Sequence, residues 1–355
     1  MAEAIEGPKV RSIPEIDGLR AIAIIQVVFF HLYIYIKYKT GYANDIDENN
    51  ILVSFAKNGH QGVELFFVIS GFIIALPYIK GRTLQIGDFY KKRLVRILPS
   101  YYITLIIFLI LYLLQHQKDQ QQLFDQFLAS ITFLSNVILG KATSTNPVGW
   151  SLEVEIQFYL LLPLITLLLK LKNKTVYILL LAIIAIGPIL NYSLATKELY
   201  PSLLNYIHFF FLGILIAKLY ISKQAISFGA IIELVIALAA LLCMFILDFS
   251  SIQHIYLHLI LLFILFYLTV NSDFLKKIFG NKILATIGVL SFSIYLIHYQ
   301  LIAIFGEFIF NHFLVAQNPF NVGISIFLIF CVVALGSYMF YVMIERMLMN
   351  LFKRK

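Results

Sequence analysis

Long apolar runs alternate along this chain with short polar joints, and each run is close to the ~20 residues that cross a hydrocarbon core. Ten can be read, at residues 19–35, 62–79, 100–114, 150–169, 176–192, 203–219, 228–247, 255–270, 284–305 and 322–344. An eleventh run, 123–139, is less apolar and carries Asp125, Gln126, Ser130 and Asn136. It reads as a span, a re-entrant piece or a surface helix. The pattern predicts an all-α integral membrane protein of about ten transmembrane helices.

The charges between the runs choose between ten spans and eleven. With ten spans and a cytoplasmic N-terminus, 20 of the 27 lysines and arginines fall in cytoplasmic segments and 6 in outer ones, with Arg20 inside the first helix. An eleventh full span would invert everything after it and spoil this bias, and positive charge is retained inside. Both termini are therefore expected in the cytoplasm, with 123–139 at or partly in the outer face. Outer acids Asp45, Asp47 and Glu48 agree with this orientation.

Composition sharpens the class. The chain of 355 residues is 61% hydrophobic and 13% charged, with a mean hydropathy of +0.88, against about 25% charge in soluble domains. The net charge of +8 sits in the joints between apolar runs, where it writes topology rather than a nucleic-acid surface. Cys243 and Cys331 lie in apolar runs outside any CxxC pattern, so two buried free thiols are expected, with no disulfide framework and no metal site. Residues 1–17 are polar and no cleaved signal follows them. The expectation is one transmembrane domain over 1–355, with 1–18 a cytoplasmic segment and no soluble C-terminal domain.

In such a chain the informative residues are ionisable groups inside spans, because an unpaired charge there is costly. Arg20 and His31 lie eleven steps apart in the first helix. That is about three turns, so they share a face about 16 Å apart along the axis. A histidine there fits a general base. It equally fits an interior histidine hydrogen-bonded to a neighbour, with Arg20 reaching lipid phosphates. Arg93 and Arg96, three residues apart in FYKKRLVRILPSYY, share a helix face and suit phosphate binding in fork geometry; a positive-inside anchor fits as well.

Glu153 and Glu155 open a span in GWSLEVEIQFY, with Tyr159 one turn beyond Glu155 on the face of Ser151. An interfacial capping acid beside Trp150 is the alternative there. Glu64, Ser70 and Gly71 lie in GVELFFVISGFII, His298 in SFSIYLIH, and Glu345 closes the last span. His208, His254, His258 and His312 stand outside any motif and read as structural. Several helices thus carry Arg, His, Glu, Ser and Tyr into hydrocarbon, as an enzyme or a transporter requires.

These elements together resemble acyltransferase family 3, the bacterial-type multi-span membrane O-acyltransferases. DGLRAIAIIQVVFFH resembles the family's Arg-x10-His signature, and GVELFFVISGFII its second motif, with Glu64 where Asp is usual. FYKKRLVRILPSYY resembles its Arg-rich helix start, GWSLEVEIQFY its Trp-Ser-Leu-x-x-Glu-x-x-Phe-Tyr element with Glu155 at the acid, and SFSIYLIH a late element ending at His298. The closing IER has Met347 where a proline often follows.

The resemblance implies a multi-pass plasma-membrane enzyme moving an acyl group, most often acetyl, from cytoplasmic acyl-CoA to a hydroxyl of a cell-surface or lipid-linked glycan. It implies Arg93, Arg96 and Arg20 as donor-phosphate ligands and His31 as the base. Glu155 is expected to orient or charge-balance His31, with Arg20 beside the chemistry. Ser70, Tyr159, Trp150 and His298 are expected to line the pocket or meet the acceptor. Whether the acyl group passes directly or through a covalent acyl-enzyme stays open. So does a reading from another class, a proton-coupled transporter of a glycan or small solute, because intramembrane His, Arg and Glu also build proton relays.

Overall fold

The computed structural model describes residues 13–40, 47, 50–114, 119–139, 143, 146–195, 202–222, 228–247, 251–313 and 319–353. Of the charges used to orient the chain, Lys9, Arg11, Lys118, Lys141, Lys197, Lys223, Arg354 and Lys355, with Asp45 and Glu48, lie outside the described residues. So does most of the 1–18 segment.

The described chain is helical throughout, without a strand among the described residues. Helix α1 (Pro14–Lys39) opens with a proline in its first turn, where a missing N–H is no loss, and with Glu15 and Asp17 where the helix dipole favours negative charge. A short α2 (Ile51–Lys57) leads through a tight turn at Asn58–His60 into α3 (Gln61–Ile79), and α4 runs over Ile86–Leu114. The less apolar run divides into α5 (Gln120–Ile131) and α6 (Ser135–Leu139), parted at Phe133, whose φ is +56°. Neither piece approaches the length of a span.

Helices α7 (Trp150–Leu160) and α8 (Leu162–Leu169) meet at a bend of 48°. Pro163 is the cause: it has no N–H for the carbonyl of Tyr159. The Tyr90 hydroxyl donates to that carbonyl at 3.2 Å instead. There follow α9 (Asn173–Ala195), α10 (Leu203–Ser222), α11 (Ala230–Ile246), α12 (Ile252–Asn271), α13 (Asp273–Phe279), α14 (Lys282–Phe313) and α15 (Pro319–Phe340). A π turn at Tyr341–Glu345 then leads into α16 (Arg346–Lys353).

Among the described residues, eight helical stretches are long and apolar enough to cross a membrane: α1, α2 with α3, α4, α9, α10, α12, α14, and α15 with its continuation. The bent pair α7–α8 adds a ninth if it counts as one span, and α11, with 17 residues, is a shorter apolar helix. Each of the ten runs read from the sequence coincides with one of these.

Helix α1 is central, packed against α14, α3 and α13, while α3 packs against α10, α10 against α9, and α14 against α15. The α3–α10 contact is backbone to backbone. A Cβ on Gly71 would lie 2.0 Å from the Phe210 carbonyl oxygen, and one on Gly213 2.0 Å from that of Val68. Lipid offers little hydrophobic drive for joining two apolar helices, so close approach through small residues supplies the attraction. On the outside, α9 exposes Ile178, Leu181, Ile186 and Ile189, a surface suited to lipid.

Gly71→Val and Gly213→Val are therefore expected to destabilise the bundle by about 3 kcal/mol or more, because the obstacle is backbone that cannot turn aside. Gly323→Ala, where a Cβ meets nothing within 4 Å, is expected to leave stability unchanged. Thermal unfolding in detergent, followed by far-UV circular dichroism, separates the two cases.

Candidate active site

One cavity lies where α1, α3, α4, α7 and α14 converge, with an empty volume of about 860 Å³, mouth included. Arg20 enters from α1, Ser70 from α3, Arg93 and Arg96 from α4, Ser151, Glu155 and Tyr159 from α7, and Ser291 and Tyr295 from α14. Helical spacing explains the α7 wall: Ser151, Glu155 and Tyr159 recur every four residues and share a face.

The carboxylate of Glu155 organises that wall. Its Oε1 accepts from the Ser70 hydroxyl at 2.6 Å and from the Tyr159 hydroxyl at 2.5 Å. The Tyr295 hydroxyl donates to the Val148 carbonyl and accepts from Ser151 at 2.7 Å. Ser291 is 1% exposed and its hydroxyl has no hydrogen-bond partner among the described residues.

Positive charge gathers at the same cavity. The Arg93 guanidinium lies 5.7 Å from the ring centre of Phe89 and 5.5 Å from that of Tyr159, a stacking arrangement open to arginine. Neither Arg93 nor Arg96 has a carboxylate within 4.0 Å among the described residues, and Arg20 reaches Asp17 only at 3.7 Å. Arg20 is in electrostatic reach of Arg96, Glu155 and Glu345. The fork donors of the α4 pair are thus available to an anion such as a phosphate.

His31 does not line this cavity. Its Nδ1 lies 2.9 Å from the Val27 carbonyl oxygen and 3.2 Å from Nε2 of His298. The two imidazole rings meet edge to face, 4.9 Å between centres, and Phe30 and Tyr299 flank His31. Tyr295 links the two regions: it lines the cavity, and its ring centre is 6.0 Å from that of His298.

Six of the residues singled out from the sequence therefore surround one cavity: Arg20, Arg93, Arg96, Ser70, Glu155 and Tyr159. His31 and His298 form a separate pair beside it. The expectation that Glu155 orients His31 gives way to a different pairing, because the hydrogen bonds of Glu155 go to Ser70 and Tyr159 and those of His31 to Val27 and His298. Trp150 and His298, expected to line the pocket or meet the acceptor, do not line this cavity; Trp150 packs on Tyr206 and Phe67, at 5.3 and 6.4 Å.

Glu153 has a different task from Glu155. It accepts from the Ser135 hydroxyl and, at 3.1 Å, from the backbone N–H of Asn136, and so holds the start of α6. Glu64 meets His258 Nε2 at 3.3 Å, away from the cavity. Sequence reasoning did not single out Ser291 and Tyr295, although their spacing of four within SFSIYLIH was a usable sign of a shared face. Glu345, hydrogen-bonded by Ser293 and buried, is turned inward by the π turn, which has no sequence signature.

An all-helical membrane bundle that gathers three guanidiniums and a hydroxyl-bearing carboxylate around one cavity stands with the membrane enzymes and transporters, not with purely structural membrane proteins. Comparison narrows the class: the chain belongs to acyltransferase family 3, whose acyltransferase-domain model matches residues 13–342. It is 27% identical over 363 residues to an O-acetyltransferase OatA of Staphylococcus aureus (strain NCTC 8325 / PS 47), covering 93% of this chain and 56% of that protein. It is 28% identical over 364 residues to a putative O-acetyltransferase of S. aureus (strain COL), covering 91% and 56%. Over 189 residues it is 30% identical to the peptidoglycan O-acetyltransferase OatA of Listeria monocytogenes, covering 49% of this chain and 27% of that protein. At most, the chain spans little more than half the length of these relatives. No solved structure matches it.

Glu153→Ala is expected to cost about 1–3 kcal/mol, because it strips the partner from two buried donors. Glu155→Gln, which keeps an oxygen for Ser70 and Tyr159, is expected to cost less than 1 kcal/mol. Unfolding midpoints of the two purified variants beside wild type check the difference.

Proposed function

We propose that this protein is a plasma-membrane O-acyltransferase of ten spans with both termini in the cytoplasm. It takes an acetyl group from cytoplasmic acyl-CoA and delivers it to a hydroxyl of a cell-surface or lipid-linked glycan. The observation that carries the reading is the convergence of Arg20, Arg93 and Arg96 on one cavity in a chain of this family. The relatives, O-acetyltransferases and in one case a peptidoglycan O-acetyltransferase, favour acetyl as the group and a wall glycan as the acceptor.

In this reading Arg93 and Arg96 hold the phosphates of the donor, and Arg20 steadies its inner portion. Acyl-CoA supplies a thioester, an acyl group already activated for transfer. Glu155 balances the guanidinium charge and fixes the Ser70 and Tyr159 hydroxyls on the cavity wall. His31 accepts the proton of the acceptor hydroxyl as its oxygen attacks the acyl carbon. The C–S bond breaks as the C–O bond forms, and the proton passes to the departing thiolate. A neutral imidazole inside hydrocarbon suits this task, since general-base catalysis contributes about 10²–10⁴-fold.

Protein reconstituted in nanodiscs with acetyl-CoA is expected to release free CoA when a glycan fragment bearing free hydroxyls is supplied. His31→Ala should lower the rate by about 10²-fold or more. Arg93→Ala should raise the half-saturating acetyl-CoA concentration by about 10–100-fold, the equivalent of one charge-assisted contact of about 1.5–3 kcal/mol. Release that survives His31→Ala would remove the base assignment. Folded protein that neither binds nor consumes acyl-CoA would overturn the enzymatic reading in favour of solute transport.

A further inference from the structure

The two histidines beside the cavity form a directed chain of hydrogen bonds, and its direction follows from which atoms can only accept. His298 is 0% exposed, and its Nδ1 lies 2.9 Å from the carbonyl oxygens of both Ile294 and Tyr295. Carbonyl oxygens only accept, so Nδ1 of His298 carries the proton. In a neutral imidazole the other nitrogen is then an acceptor. That acceptor, Nε2, faces Nδ1 of His31 at 3.2 Å. Nδ1 of His31 also lies 2.9 Å from the Val27 carbonyl oxygen. Both neighbours of that nitrogen accept, so it must donate. The tautomer of His31 is thereby assigned with its proton on Nδ1 and a free lone pair on Nε2. No partner for that Nε2 is found among the described residues, and His31 is only partly buried.

We propose that His298 is a positioning residue for the transfer reaction: by accepting from His31 Nδ1–H it locks His31 in the tautomer whose Nε2 can take the acceptor's proton. The proposal deepens the acyltransferase reading and rests on His31 being the base. In the step itself the acceptor O–H proton moves to His31 Nε2 while the acceptor oxygen bonds to the acyl carbon; the C–S bond of the donor breaks, the proton passes from Nε2 to the departing thiolate, and His298 exchanges no proton. As His31 becomes an imidazolium its Nδ1–H becomes a stronger donor, and His298 Nε2 and the Val27 carbonyl, already in place, stabilise it. The same logic, an orienting acceptor behind an imidazole, governs hydrolase triads, here with a neutral imidazole in place of a carboxylate. A neutral partner suits this position, since a carboxylate there would carry a net charge into the bundle.

Alternative uses of His298 fit less well. Its two nitrogens are committed to α14's own carbonyls and to His31, and it does not line the cavity. It therefore has no free atom with which to bind substrate. The Glu64–His258 contact joins α3 to α12, whereas the histidine pair joins α1 to α14.

Three variants and two readouts test the proposal. His298→Ala removes the acceptor. His298→Gln keeps an acceptor oxygen near the position of Nε2. His31→Ala marks full loss. Protein in nanodiscs with ¹⁵N-labelled histidine, free of donor and acceptor, is examined by solid-state NMR, with the His31 signals assigned by their loss in His31→Ala. In wild type His31 should show a protonated Nδ1 and an unprotonated Nε2. In His298→Ala the Nε2-protonated form should appear, and in His298→Gln the wild-type pattern should persist. In the CoA-release assay His298→Ala should lower kcat by about 10²-fold, with the half-saturating acetyl-CoA concentration within twofold of wild type. His298→Gln should stay within about fivefold of wild type.

A His31 tautomer indifferent to His298→Ala overturns the proposal. So does a kcat unchanged in that variant, or a loss in which His298→Gln falls as far as His298→Ala. The tautomer shift observed in protein that consumes no acyl-CoA would uphold the positioning and defeat the acyltransferase reading instead, so the two failures are told apart.

Discussion

Hydrocarbon has no water to offer an ionisable group, so every charge that the helices carry inward must be met by another part of the protein. The inner architecture of this bundle follows from that requirement. Glu155 is met by two hydroxyls, Glu345 by Ser293, and Glu64 by His258. The guanidiniums of Arg93 and Arg96 lack a close carboxylate among the described residues and gather instead on a cavity. Charges that the protein does not fully neutralise are thus gathered around one cavity rather than dispersed through the bundle.

The same solvent dictates how the frame holds together. Apolar helices gain little from leaving lipid for one another, so contact depends on how closely their backbones approach. Gly71 and Gly213 bring α3 against α10, and Gly71 sits one residue beyond Ser70, whose hydroxyl meets Glu155. The contact that joins two helices therefore also sets the distance from Ser70 to the wall formed by α7. On α7 the bend at Pro163 frees the Tyr159 carbonyl, and Tyr90, one turn before the arginine pair on α4, takes it up. Frame and site share their fastenings, so a change in either moves the other.

Two kinds of chemistry sit side by side in this bundle. The cavity carries positive charge and hydroxyls. The histidine pair lies beside it, past Tyr295, among Phe30 and Tyr299. A reaction that draws an activated group from one side of a membrane and delivers it towards the other has use for this arrangement. Donor recognition requires charge, while proton abstraction benefits from a neutral base kept apart from cations that would disfavour its protonation.

Much of this protein was legible in the chain itself. The ten apolar runs coincide with the eight long helices, the bent pair and α11, because apolar length is a local property that lipid reads directly. The arginine pair and the Ser151–Glu155–Tyr159 face were legible too, since helical spacing alone places them. What spacing does not contain is the height and rotation of one helix against its neighbours. Arg20 and His31 share a face of α1, yet Arg20 lines the cavity and His31 meets His298, because α14 packs against α1 and brings His298 to it. Glu153 and Glu155 differ by two positions, and only the folding of α6 against α7 commits Glu153 to a helix start and leaves Glu155 to the cavity. Glu345 turns inward through a π turn that no residue pattern announces. The sequence by itself determined which stretches are helices in lipid and which face of each is polar. Tertiary packing decided which polar faces meet, because that depends on distances between helices far apart in the chain.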